Sequence, residues 1–95
     1  MRGKYGGDKM EIKKKCWPEY FQMILNGKKK FELRLADFNI KEGDVLVLEE
    51  YEPETKTYTG RKIKKKAKSI IKVNPTRMHD LQEIKKHGFY IIEME

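Results

Sequence analysis

The sequence predicts an α+β domain, a small mixed β-barrel of about five strands with two short helices at its ends. Two observations predict it. Apolar residues recur with period two in several stretches and with a helical period in two others, and together the segments read β-α-β-β-β-α-β. One alternating stretch, Arg61 to Val73, runs for thirteen residues, which at ~3.3 Å per residue would span ~43 Å, so the sheet has to bend or coil.

Each element has its own signal. Residues 1–9, with three glycines, read as a flexible tail, and residues 10–95 as one domain without repeat or internal linker. Met10 to Cys16 alternates weakly between apolar and charged residues, as a half-buried strand does. Trp17, Phe21, Ile24 and Leu25 then fall at i, i+4, i+7 and i+8, with Pro18 in the first turn and Gly27 just past the end: one apolar helix face, with Trp17 and Phe21 read as core over a base-stacking role. From Lys30 the period switches to two, which predicts Phe31, Leu33 and Leu35 buried and Glu32 and Arg34 on the opposite face. After a turn at Gly43-Asp44, the continuous apolar run Val45 to Leu48 continues to Tyr51 as a third strand. Pro53 to Lys56 reads as a hairpin loop, with its second arm from Tyr58. In the long strand that follows, Ile63, Ala67, Ser69, Ile71 and Val73 share one face; Lys65 and Ile70 break the pattern and mark candidate bulges. Asn74-Pro75 starts a second helix carrying Met78, Leu81 and Ile84, and Phe89 to Met94 is the last strand.

Composition narrows the function classes. The net charge is +7, a surplus that recruits polyanions, nucleic acid first among them, or serves solubility alone. The lone cysteine, Cys16, excludes an internal disulfide and fits a reducing, cytoplasmic setting; no apolar run is long enough for a membrane span. No cofactor motif, zinc spacing or nucleophile elbow is present, so no cofactor or metal is expected, and the chain is taken as a monomer.

The chemistry concentrates in Gly27-Lys28-Lys29-Lys30-Phe31-Glu32-Leu33-Arg34. Glu32 and Arg34 project from one strand face, with Lys29 in the preceding turn. Arginine offers a planar fork for phosphate or a base edge, lysine a point charge, and glutamate an acceptor or general base. The bland reading is an ion pair with no ligand. A second basic feature is the face of Lys62, Lys64, Lys66 and Lys68, which either tracks a phosphate backbone or guards an edge strand against aggregation. Tyr51 and Tyr58 flank the hairpin and read as a cross-strand pair or as stacking platforms. Glu49, Glu50, Glu52 and Glu54 are expected to pair with lysines across the hairpin. His79 and His87 read as helix or cap residues.

Gly27, Lys29, Glu32 and Arg34 fit the G-x-K-x-x-E-x-R pattern of the ASCH domain family, within the PUA-like superfamily, and the run follows a helix as it does there. Trp17-Pro18-Glu19-Tyr20-Phe21, Gly43 to Leu48 and Tyr58-Thr59-Gly60-Arg61 extend the resemblance over roughly residues 10–95, toward a branch of unassigned function. The resemblance implies a PUA-like β-barrel whose motif residues line a cleft that binds RNA or a nucleotide, with Gly27, Lys29, Glu32 and Arg34 as binding residues. It also implies an alternative, hydrolysis of RNA or of a modified nucleoside such as N-acetylated cytidine, with Lys29 and Glu32 as catalytic candidates. In the amidohydrolase relatives a threonine stands where this chain has Glu32, which favours binding over that chemistry.

Overall fold

The computed structural model describes residues 9–73 and 86–95. Among these, the elements are β1 (Glu11–Cys16), α1 (Pro18–Leu25), β2 (Phe31–Leu35), β3 (Val45–Glu52), β4 (Thr57–Val73) and β5 (Phe89–Met94). The second helix expected after Asn74 and the N-terminal tail to residue 8 lie outside the described residues.

The strands form one mixed sheet in the order β1-β3-β4-β5-β2. β1 runs parallel to β3, and every other neighbour pair is antiparallel. β4 is the shared strand: its first half pairs with β3 and its second with β5, so the lysine-rich segment is central and not an edge. Straight, its 17 residues would span ~56 Å at ~3.3 Å each, against a longest molecular dimension of 40 Å. It bends at two irregularities. Thr59, Gly60 and Arg61 together face Glu50, with Gly60 at φ 96°, where a side chain would be strained. Further on, Lys68 is the extra residue between the pairs Ala67–Met94 and Ser69–Glu93.

Neither Lys65 nor Ile70 is the bulge, and the true one at Lys68 reassigns the faces. Lys65 and Ala67 lie on the inner side as the alternation predicts, but past Lys68 the inward position passes to Ile70, which packs against the core. Ser69, Ile71 and Val73, expected inside, turn to the outer face, and Ile71 is 59% exposed. β2 is likewise reversed: Glu32 is 5% exposed, while Phe31 and Leu33 are 54% and 64% exposed. The cause is its register on β5. Glu32 lies beside Ile92, a fully buried residue, and Arg34 beside Tyr90, so the charged face of β2 joins the core side.

The expected barrel does not close. β1 and β2 are the two edges of the sheet, and no backbone ladder joins them. Charged side chains, Lys29, Glu32 and Arg34, occupy the seam where closure would need tightly packed apolar ones. Arg34 Nη2 crosses it, donating to the Lys15 carbonyl at 2.9 Å.

Helix α1 packs beside β3 through Phe21 and Ile24, which are buried with Leu46, Leu48, Ile92 and Ala67. Trp17 and Leu25, read as part of the same stripe, are 48% and 44% exposed. Trp17 is the N-cap, with extended backbone, so its ring leaves the helical stripe before the first turn begins. Gly27 ends the helix at φ 80°, and its N–H donates to the Ile24 carbonyl.

The acidic patch on β3 pairs differently from expectation. Glu50 is buried and is held by Arg61, whose Nε and Nη2 lie 2.9 and 3.0 Å from its two oxygens, and by the Thr59 hydroxyl at 2.6 Å. The guanidinium also covers the Phe21 ring at 4.9 Å, so the bulge ties β4 to β3 and to the helix at one point. These bonds, first from Arg61 and then from Thr59, hold the Glu50 carboxyl below its ordinary value of 4.5. A lowered folded value means stability present above pH 4.5 and lost as pH falls through the folded value. Thermal melts in a pH series should therefore show Tm declining in acid below about pH 4.5, with a shallower decline in Glu50→Gln. Identical acid limbs for the two proteins would show that the pair is not the linkage.

Candidate functional site

The motif is positioned by the end of α1. After the glycine turn the Lys29 N–H donates to the Met23 carbonyl at 3.0 Å, and the Lys30 carbonyl accepts from Met94 N–H at 2.9 Å, fixing the entry to β2 from both sides. Lys29 Nζ lies 2.5 Å from Glu32 Oε1, and Arg34 Nη2 lies 2.9 Å from Glu32 Oε2. Lys29 also donates to its neighbour Phe31's carbonyl at 2.6 Å. Glu32 is thus a buried carboxylate gripped by two cations, each about a quarter exposed.

These three side chains line a cleft of about 470 Å³ between the β1 edge, α1 and β2. Opposite the charges stand Trp17 and Tyr20, with ring centroids 6.3 Å apart and planes inclined by 24°, both half exposed. The cleft therefore offers an aromatic ledge and a cationic pair on facing walls. Gly27 is not in this cleft but lines a smaller depression of about 340 Å³ beyond Lys29, together with Lys30, Lys65 and Lys68.

The basic strand divides. Lys62, Lys64 and Lys66 project from the sheet face opposite Ile63, Lys65 and Ala67, away from the motif, where Lys64 pairs with Glu11 at 3.0 Å and Lys66 with Glu95 at 3.9 Å. Lys68, displaced by the bulge, sits on the motif's side, 3.7 Å from Glu93. Tyr51 and Tyr58 form the expected cross-strand pair, edge to face at 5.0 Å.

The sequence reading placed Trp17 in the core over a base-stacking role, and missed Tyr20, Lys15 and Cys16 as site residues. The available signal was their spacing: Trp17 and Tyr20 are three apart at a helix start, so both rings flank the same entrance. Two further lysines lie over aromatic rings, Lys14 on Phe38 at 3.7 Å and Lys15 on Tyr51 at 4.3 Å. Burial holds the Lys14 ammonium below its ordinary value, against the opposing pull of Asp37. Among the described residues no three His, Cys, Asp or Glu side chains converge as a metal site would require, and no helix is long and apolar enough to cross a membrane.

A family profile described as a domain of unknown function, DUF3850, matches residues 5–84. The chain belongs to the DUF3850 family. A relative from Escherichia phage P2, described as an uncharacterized 12.9 kDa protein in the GpA 3' region, is 41% identical over 49 residues. That match spans 52% of this chain and 43% of the phage protein's length, so less than half of that protein is represented. The fold of this DUF3850 chain is similar to the crystal structure of the hypothetical protein PH0355, with a TM-score of 0.68 and 25% identity, over 90% of this chain and 98% of that one. The likeness supports a small α+β domain and carries no activity with it.

Two measurements follow from the geometry. Glu32→Ala leaves Lys29 and Arg34 without their shared carboxylate, each keeping only a backbone carbonyl, of Phe31 and Lys15 respectively. Because both are partly solvated the expected loss is about 1–3 kcal/mol, below the figure for a fully buried pair. Urea denaturation measures it, and an unchanged midpoint would contradict the clamp. Cys16 lines the same cleft; burial first, and then the Glu32 charge, push its thiol up to about 11. Alkylation at pH 8 should accordingly be far slower in the folded protein than in urea.

Proposed function

We propose that this DUF3850 domain is an ASCH-like module that binds RNA or a nucleotide in the cleft between β1, α1 and β2. The observation that carries the reading is the buried Glu32 carboxylate. By engaging both cations it sets Lys29 and Arg34 side by side on one wall, facing the Trp17–Tyr20 ledge.

The two walls match the two halves of a nucleotide. A base is a flat π-surface that stacks on an exposed aromatic ring, at about 1–3 kcal/mol per base. A phosphate takes the planar fork of an arginine and the point charge of a lysine. Two cations over one carboxylate leave the charged wall net positive. Placing Glu32 beneath Lys29 and Arg34 also limits their wandering, which reduces the ordering cost when a ligand arrives.

Hydrolysis of RNA or of an acylated nucleoside, with Lys29 and Glu32 as acid and base, draws less support. Both Glu32 oxygens already accept from protein cations, so a substrate reaching the carboxylate has to displace Lys29 or Arg34.

Trp17 is the sole tryptophan, so its emission reports directly on the ledge. Titration with nucleoside monophosphates and short single-stranded RNA at low salt should quench it in a saturable way. Arg34→Gln should weaken binding roughly tenfold to a hundredfold, the loss of a charge-assisted contact, with the fold checked by circular dichroism. Absence of saturable quenching and of calorimetric heat with every ligand would dismiss the reading.

A further inference from the structure

The cleft is the middle one of three depressions that share walls. On one side, Lys15 and Arg34 also line a depression of about 490 Å³ at the β1 edge, with Lys13, Lys14 and Tyr58. On the other, Lys29 also lines the depression of about 340 Å³ that holds Gly27, Lys30, Lys65 and Lys68. Two of the three shared residues, Arg34 and Lys29, are the cations clamped by Glu32. From this arrangement we infer that the ligand is a single strand of nucleic acid, several nucleotides long, lying across all three depressions with one nucleotide in the central cleft.

The inference rests on the proposed function for its central nucleotide and goes beyond it in deciding between a monomer and a polymer. A site built for a free nucleotide needs cations at one phosphate position. Here basic residues continue on both sides of the cleft, in two outer depressions that share no lining residue with each other. In the β1-edge depression four cations face one carboxylate, Glu49. In the far depression four lysines face Glu93 and Glu95. The Lys68–Glu93 approach there, at 3.7 Å between partly exposed groups, is of the kind worth only about 0–1 kcal/mol, so a phosphate can compete for the lysine.

The choice of a single strand follows from the exposed rings along the track. The depressions run from the β1 edge, past the open seam, to the bulge in β4. A single strand lays unpaired bases on exposed rings along such a run, at about 4–16 nucleotides per domain-sized site, whereas a duplex keeps its bases paired and stacked within itself. Tyr58, 54% exposed at the β1-edge depression, supplies a second stacking face beside the lysines there.

The test is fluorescence anisotropy and calorimetry on the full chain with uridylate and adenylate oligomers of one, three, six and nine nucleotides, and with a nine-base-pair RNA duplex, at two or more salt concentrations. Affinity is expected to rise at least tenfold from the monomer to about six nucleotides and then level off, with the duplex weaker than the nonamer. Lys13→Ala and Lys68→Ala, both at exposed positions, should each weaken hexamer binding at least threefold. Each should also flatten the salt dependence by ~0.7 in log–log slope per lost contact, and leave monomer binding unchanged. Equal affinity for monomer and hexamer, with Lys13→Ala and Lys68→Ala silent, overturns the strand and leaves the nucleotide cleft standing. A duplex binding as tightly as the nonamer also overturns it. Hexamer binding that responds to Lys13→Ala and Lys68→Ala but not to Arg34→Gln supports the strand track while removing the central nucleotide.

Discussion

One buried carboxylate organises this domain. A glutamate taken out of water costs several kcal/mol unless cations and hydrogen bonds replace its hydration, and Glu32 meets that requirement with Lys29 and Arg34. The rest of the seam depends on this demand. Lys29 has to return toward β2, which requires the chain to reverse after α1, and Gly27 with its positive φ makes that reversal possible. Arg34 spans the gap to the Lys15 carbonyl, so the same ion cluster sets the separation of the two sheet edges. An apolar strand in place of β2 would be free to pack the seam shut. With charges there it stays an open cleft between β1, α1 and β2.

A second cluster supports the opposite wall. Glu50, Arg61 and Thr59 meet where β4 bulges, and the guanidinium of Arg61 lies over Phe21, the most buried residue of α1. Phe21 is one residue beyond Tyr20 and four beyond Trp17. The orientation of the aromatic ledge is therefore tied to the long strand through a single ion pair. Each wall of the cleft thus rests on a buried glutamate: Glu32 pairs with Lys29 and Arg34, three and two positions away, and Glu50 with Thr59 and Arg61 across the hairpin.

Much of the fold was legible in the sequence, and the failures share a cause. The five strands, the helix from Pro18 and the hairpin at Pro53 to Lys56 follow from periodicity and turn chemistry. What a period of two cannot decide is which side faces inward. In β2 the apolar set is Phe31, Leu33 and Leu35, and hydrophobicity alone sends it to the core; pairing with β5 instead aligns Leu33 with Ile91 and Ile71 in an outer apolar row, and turns Glu32 toward Ile92. In β4 a single extra residue, Lys68, exchanges the faces of everything after it, and no local signal separates Lys68 from its lysine neighbours. The motif itself was recognisable as a cluster of chemistry. Its inward orientation, its aromatic partner wall and its continuity with Lys13 and Lys68 depend on strand order, which no single stretch of sequence contains.

Where a ligand touches the domain decides between the open cleft and the outer lysine face, and backbone amide chemical-shift mapping with a single-stranded RNA hexamer measures that. The predicted result is a set of shifts at Lys13–Tyr20, Gly27–Arg34 and Lys68, with the outer-face residues Ile71 and Val73 unmoved. Shifts centred on Lys62, Lys64 and Lys66, with Trp17, Lys29 and Arg34 silent, would contradict it.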